Sequence, residues 1–417
     1  MSRRIRNGLA VFGLSVIAIL ATDLCGRAVH SINDWISTPS ETIKSDLRSQ
    51  LPAYQDVDYD ASTLIQEVRE SSPVRYQPYT VWRRRPFQGH TTTVEVNGSR
   101  TTHYNSEDPN ALNIWMFGGS TTWGVGAPDQ ETISSLLSKS LNERLVSTHV
   151  RNLGERGFVS TQEVVYLLRE LQAGYQPNVV IFYDGVNDAA AAGLWPEVPG
   201  THLELDVVRD RFQQHQDDML EEFVRSTGLY KAAQVFLDRT GITVQEPHFD
   251  QEATPESKNT TEPDYHWLAK RGLDLWIENQ RLVQSLASEY NFTPIFIFHP
   301  GLWHTGKPLH PSELEILESE KQSANLYMIM RVRAEMASIL TQRLKTTDNT
   351  KNIYNLNEVF IDSADPLYID YVHVTGKGNK IVSEKLTDIV LSEICEISTL
   401  SATSLPKDLW AHCNHNP

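Results

Sequence analysis

The sequence predicts an α/β protein built on a doubly wound parallel sheet. Three observations carry that expectation. Short, nearly continuous apolar runs recur at "LNIWMF" (112–117), "VVIFY" (179–183) and "IFIF" (295–298), as suits strands buried on both faces. Between them the apolar residues fall at helical spacing: Ile133, Leu136, Leu137, Leu141 and Leu145, then Val164, Val165, Leu168 and Leu171. Small-residue turns follow the strands, "GGST", "NLGERG" and "DGVND", and ligands of open α/β sheets bind at such exits.

The elements can be taken in order. "MSRRIRN" sets three arginines before the uncharged "GLAVFGLSVIAILA", residues 8–21. That pattern predicts a signal anchor or signal peptide over 1–28, meeting the membrane through residues 8–25. The body would then be periplasmic or extracellular, or secreted if the segment is cleaved. Residues 29–110 read as a polar stalk, to about 75, and a β-rich leader packing on the body. Over 76–105, Tyr, Thr and Val with an "NGS" turn predict short strands or a hairpin. Arg83, Arg84 and Arg85 read as a solvated cluster or part of a substrate rim. The body spans 111–400. "HVRNLG" (149–154) is a weaker strand, and "GYQPN" stops the second helix. A polar, acidic insertion covers 190–262, helical around 217–239 and loose near 245–263. Residues 312–346 read as one long amphipathic helix. Val382, Leu386, Ile389 and Val390 mark a terminal helix, and 401–417 a tail.

With 417 residues, 40% hydrophobic, the chain can bury one large core. A net charge of −16 argues against a nucleic-acid partner, which needs a basic face. Of three cysteines, Cys395 and Cys413 could staple the tail after export, or remain free thiols. There is no C-x-x-C or H-E-x-x-H, and "GGSTTWG" lacks the lysine of a phosphate loop, so no metal or cofactor is expected. Asp184 and Asp188 resemble a metal pair without a third ligand. Asp188 is expected to brace its own turn.

The strand exits carry the chemistry. Ser120 stands in the first. A serine hydroxyl is a weak nucleophile until a base takes its proton. His373 can be that base, and Asp370, three residues before it, can fix the imidazole tautomer. An oxyanion needs donors, and the N–H groups of Ser120 and Gly154 with the Asn187 amide can supply them. Glycine at 154 would leave room for the substrate. Gly119, Gly185 and Asp188 would support the site. Trp123, His299 and Trp303 are candidates for lining the pocket, with His304 and His310 in the same loop as Trp303.

In this order, "GGST" (118–121), "NLGERG" (152–157), "GVND" (185–188) and "DYVH" (370–373) resemble the blocks of the SGNH, or GDSL-type, hydrolases. The resemblance spans residues 112 to about 395. It implies a flavodoxin-like, three-layer α/β/α fold and a serine esterase. Ser120 would be nucleophile, His373 base, Asp370 its orienter, and Ser120, Gly154 and Asn187 the oxyanion donors. Gly119 stands where the family usually has Asp. The expected substrate is an acyl ester of a glycan or a lipid. Acyl transfer to a sugar hydroxyl would use the same residues, and a non-catalytic carbohydrate-binding protein could share the fold.

Overall fold

The computed structural model describes residues 46–144, 146–212, 263–346 and 351–400. The expected anchor segment, Cys25, Cys413, the tail and the insertion's expected helix and loose stretch lie outside the described residues. Among the described residues no helix is long and apolar enough to cross a membrane. Cys395 is disulfide-bonded.

The leader comes first. Asp60 caps α1 (Ala61–Glu70) by accepting from the N–H groups of Ser62 and Thr63. β1 (Val74–Gln77) and β2 (Val81–Arg84) form an antiparallel hairpin, and β3 (Phe87–Gln88) pairs with β4 (Thr93–Val94). The "NGS" turn is present: Glu95 N–H donates to Ser99 O, and Gly98 sits at φ +90°. The polar stalk expected up to residue 75 is not what α1 forms. Leu64, Ile65 and Val68 are buried with Trp123, Val125 and Ile369 of the body, because α1 carries an apolar stripe that needs a partner.

The body follows with β5 (Leu112–Gly118), α2 (Ser120–Trp123), α3 (Ile133–Glu143), β6 (Thr148–Asn152), α4 (Ser160–Gln172), β7 (Val179–Asp184) and α5 (Val186–Leu194). Then come α6 (Tyr265–Tyr290), β8 (Thr293–Phe298), α7 (Pro311–Glu320), α8 (Ala324–Thr346), β9 (Ile353–Asn355) and α9 (Gly376–Leu400). The five body strands pair in parallel in the order β6-β5-β7-β8-β9. By chain order this is 2-1-3-4-5, the flavodoxin-like arrangement, whose switch point lies between β5 and β7.

Alternation along the strands builds two cores. Ile114, Met116, Ile181 and Ile295 face α3 and α9, through Leu137, Leu141, Val382 and Leu386. Trp115, Phe117, Phe182 and Phe296 face α4, α6 and α8, through Leu167, Trp276 and Met336. The result is three layers. The single helix expected over 312–346 is two. Ser323 Oγ accepts from Leu326 N–H at 3.4 Å, so the chain stops at Glu320 and restarts at Ala324 with its own cap.

Candidate active site

The switch point receives two strand exits together. β5 ends at Gly118 and Ser120 opens α2. The first residue of a helix has no intrahelical acceptor for its N–H, which leaves the Ser120 N–H beside its own hydroxyl. β7 ends at Asp184, and Gly185 caps α5, which carries Asn187 and Asp188 in its first turn.

The third part arrives from the loop before α9. His373 Nε2 lies 2.7 Å from Ser120 Oγ, and Nδ1 lies 2.7 Å from Asp370 Oδ2. Asp370 Oδ1 accepts from the N–H groups of Val372, at 3.0 Å, and His373, at 2.7 Å. The D-x-x-H spacing therefore makes one tight turn in which the carboxylate grips both backbone and ring. Burial pushes the Asp370 carboxyl up. The His373 ring and these hydrogen bonds outweigh it and hold the carboxyl below its ordinary value. A carboxylate at Nδ1 keeps the proton there and leaves Nε2 to accept the serine O–H. Arg48 Nη1 stands 3.8 Å from the same Oδ2.

The oxyanion candidates differ among themselves. Asn187 Nδ2 donates to Phe158 O at 2.7 Å, and its second hydrogen has no partner among the described residues. A Cβ at Gly119 would stand 2.4 Å from Asn187 Nδ2. Here the Asn187 amide occupies the space in which a side chain at 119 would start. The Gly154 N–H already donates to Asn152 Oδ1 at 3.1 Å. A Cβ at 154 would meet Trp123 N at 2.6 Å. Glycine is required there by the packing of α2, which corrects the expected reason, room for substrate. Asn152 was not singled out from sequence. Its amide donates to Thr122 O at 2.9 Å and ties the β6 exit to α2.

Several expectations need correction. Arg83 and Arg84 are buried, neither a solvated cluster nor a rim. Fully buried Glu155 accepts from Arg84 N and Nε, both at 2.9 Å, and has Arg83 Nη1 at 3.4 Å. A carboxylate enclosed under the β1–β2 hairpin needs this compensation; Arg85 alone of the three is exposed. Trp123 does not line a pocket. It is fully buried beneath Arg100, whose guanidinium carbon is 4.5 Å from the ring centre. Arg100 also donates to Gly124 O, Ala127 O and the Asp129 carboxylate, fixing the chain after α2. His299 is structural. Its Nε2 accepts from Val186 N–H at 3.2 Å and its Nδ1–H donates to Pro300 O at 2.8 Å. Burial, then the charge of Arg333, bring its pKa down to about 3, so the ring stays neutral. Trp303 is half-buried against His304 and Tyr327. Its neighbour Leu302 reaches the site loop, donating from N–H to Tyr371 O. His310 caps α7, accepting from Ser312 N–H.

Glu313 was missed, although the "HPSE" capping pattern before α7 was its signal. Buried Lys307 Nζ donates to Glu313 Oε2 at 2.6 Å, and Glu313 Oε1 accepts from the N–H groups of Leu367 and Tyr368. This clamp holds the segment that delivers Asp370.

Asp188 braces α4 as well as its own turn: it accepts from Ser160 N at 3.2 Å, from Ser160 Oγ at 2.5 Å and from its own N–H. With Glu163 and Asp184 it forms a buried carboxyl cluster, to which Trp276 Nε1 donates at 3.2 Å. Burial first, then mutual repulsion, raises Asp184 to about 7; burial raises Asp188 to about 6; Glu163 is raised as well. Carboxyls with raised folded pKa values favour the fold fully below their unfolded range near 4. That contribution fades as pH rises through 6–7. The denaturation midpoint should therefore fall from pH 5 to pH 8, and fall less in Asp184→Asn, which keeps an acceptor for Trp276. Parallel pH curves for the two proteins would refute the assignment.

No family model matches the chain, and no curated protein does. Solved structures do. An acetyl xylan esterase is similar at 13% identity over 66% of this chain and 98% of its own, with a TM-score of 0.32. A member of the lipolytic G-D-S-L family from Veillonella parvula DSM 2008 shares 11% over 67% and 97%, with a TM-score of 0.33. A lipase from a goat rumen metagenome shares 13% over 67% and 97%, with a TM-score of 0.36. Values this low leave the chemistry to rest on the geometry above.

Proposed function

We propose that the chain is a serine esterase of SGNH type, cleaving acyl esters through an acyl-Ser120 intermediate. One observation carries this reading: the unbroken chain of 2.7 Å contacts from Ser120 Oγ through the His373 ring to Asp370. In it, His373 Nε2 takes the hydroxyl proton as Oγ bonds to the ester carbonyl carbon. The resulting oxyanion accepts from the Ser120 N–H and the second Asn187 amide hydrogen. Gly154 joins only by sharing its N–H with Asn152. His373 then gives the proton to the leaving alkoxide. Water, deprotonated by the same nitrogen, releases the acid and restores Ser120.

The arginine-led apolar segment supports export, with the catalytic body tethered or secreted. That location favours an O-acyl group on a glycan, or a lipid ester, as substrate. The test is covalent. A fluorophosphonate should label Ser120, and the label should disappear in His373→Ala. Folded protein that takes no label at Ser120 would overturn the reading. Asn187→Ala should lower kcat by about 10²–10³-fold with KM nearly unchanged, because the oxyanion exists only after attack. Steady-state kinetics on a soluble ester such as p-nitrophenyl acetate check this, and an unchanged kcat removes Asn187 from the site.

A further inference from the structure

A cavity lies at the opposite end of the sheet from Ser120. Its volume is about 470 Å³, and its walls come from the amino ends of β5 and β6 and the turn before β7. That size is within the range of small-molecule sites. Asp108, Trp115, His149, Arg151, Tyr175 and Gln176 contribute to the lining. We propose that this cavity binds a neutral saccharide unit.

The lining has two kinds of surface. Tyr175 is 56% exposed, a large aromatic side chain left in solvent. Arg151 lies between rings, 5.0 Å from the centre of Trp115 and 5.5 Å from that of Tyr175, which holds the platform in place. The rest of the wall is polar, supplied by Asp108, His149 and Gln176.

Charge narrows the ligand. Arg151 is matched by Glu170 at 2.8 Å, and Glu107 and Asp108 stand on the wall, so an anion gains nothing there. A cation would have to be held by Glu107 and Asp108, and the Asp108 carboxylate already accepts from Asn110 N–H at 2.9 Å. An acyl chain would bury the polar groups of Asp108, His149 and Gln176 without replacing their hydrogen bonds. A sugar ring offers an apolar face to an aromatic platform and hydroxyls to everything else.

The inference does not require Ser120 to be catalytic, and its test is binding. The Ser120→Ala protein, which cannot turn over an ester, is titrated calorimetrically with cellotetraose, xylotetraose, mannotetraose and chitotetraose. At least one should bind with a dissociation constant of about 1 mM or lower. Tyr175→Ala should weaken that binding about tenfold or more, and Tyr175→Phe should retain it. In the protein with Ser120 intact, Tyr175→Ala should leave p-nitrophenyl acetate turnover unchanged. The proposal is overturned if none of the four binds at about 10 mM, or if Tyr175→Ala binds as tightly as its parent, which would place the sugar elsewhere.

Discussion

Ser120→Ala is expected to remove ester turnover, a loss of about 10⁴–10⁶-fold in kcat, without changing the denaturation midpoint. Only the hydroxyl is lost, and its sole described partner is the His373 ring. His373→Ala should cost nearly as much, since without it nothing accepts the proton. The double variant should be little worse than either single one, because the two groups act as a unit. Asp370→Asn should lose about 10⁴-fold. An amide can present its N–H to Nδ1, which moves the ring proton to Nε2, where the serine proton must go. Kinetics on one soluble ester measure all four. Near-additive losses in the double variant would mean that Ser120 and His373 do not share a proton.

Glu155→Gln should destabilise the protein by about 3–5 kcal/mol, the usual cost of breaking a buried ion pair on one side. Glu155 is fully buried and accepts from Arg84 N, Arg84 Nε and Arg156 N, with Arg83 alongside. Glutamine keeps one acceptor oxygen and removes the negative charge. Arg84 then stays enclosed with its charge unmatched; burial lowers its pKa, and the Glu155 charge is what opposes that shift. Urea titration gives the difference directly. A change below about 1 kcal/mol would mean that water reaches the arginines. Because Glu155 follows Gly154, a displaced loop should also lower kcat in the folded fraction.

The sheet was legible in the sequence because its strands are buried on both faces. "VVIFY" and "IFIF" have no polar residue to confuse with any other environment, and both are strands. The residues that meet at the strand exits were legible for a related reason. Ser120, Asn187 and Asp188 each follow a strand closely, and Asp370 and His373 share one turn, so local spacing encodes them. What escaped was compensation between distant residues. Arg84 and Glu155 are separated by 71 positions, and Lys307 reaches Leu367 only through Glu313. Run as "RRR" in a polar stretch, the arginines look solvated. Nothing within ten residues announces the carboxylate that buries two of them. Trp123 and His299 misled in the opposite sense: both stand at strand exits, where ligands bind, but each is consumed by holding the exit itself. The α7–α8 break was hidden because Lys321–Ser323 keeps helical polarity and only the Ser323 cap interrupts it.

The leader clamps have a consequence for where this protein can be cut. Arg83, Arg84 and Arg100 lie before the first body strand, yet they fasten the loops after β5 and β6 from outside the sandwich. The smallest piece able to fold on its own is therefore larger than the layered α/β/α region. A gene trimmed to begin at residue 111 would leave Glu155, Asp129 and the bare face of Trp123 open to water. The turn that carries Ser120 would have lost its outer wall. The boundary that respects the physics falls before Arg48, which stands beside Asp370, because Ala53 and Tyr54 share the core of α1.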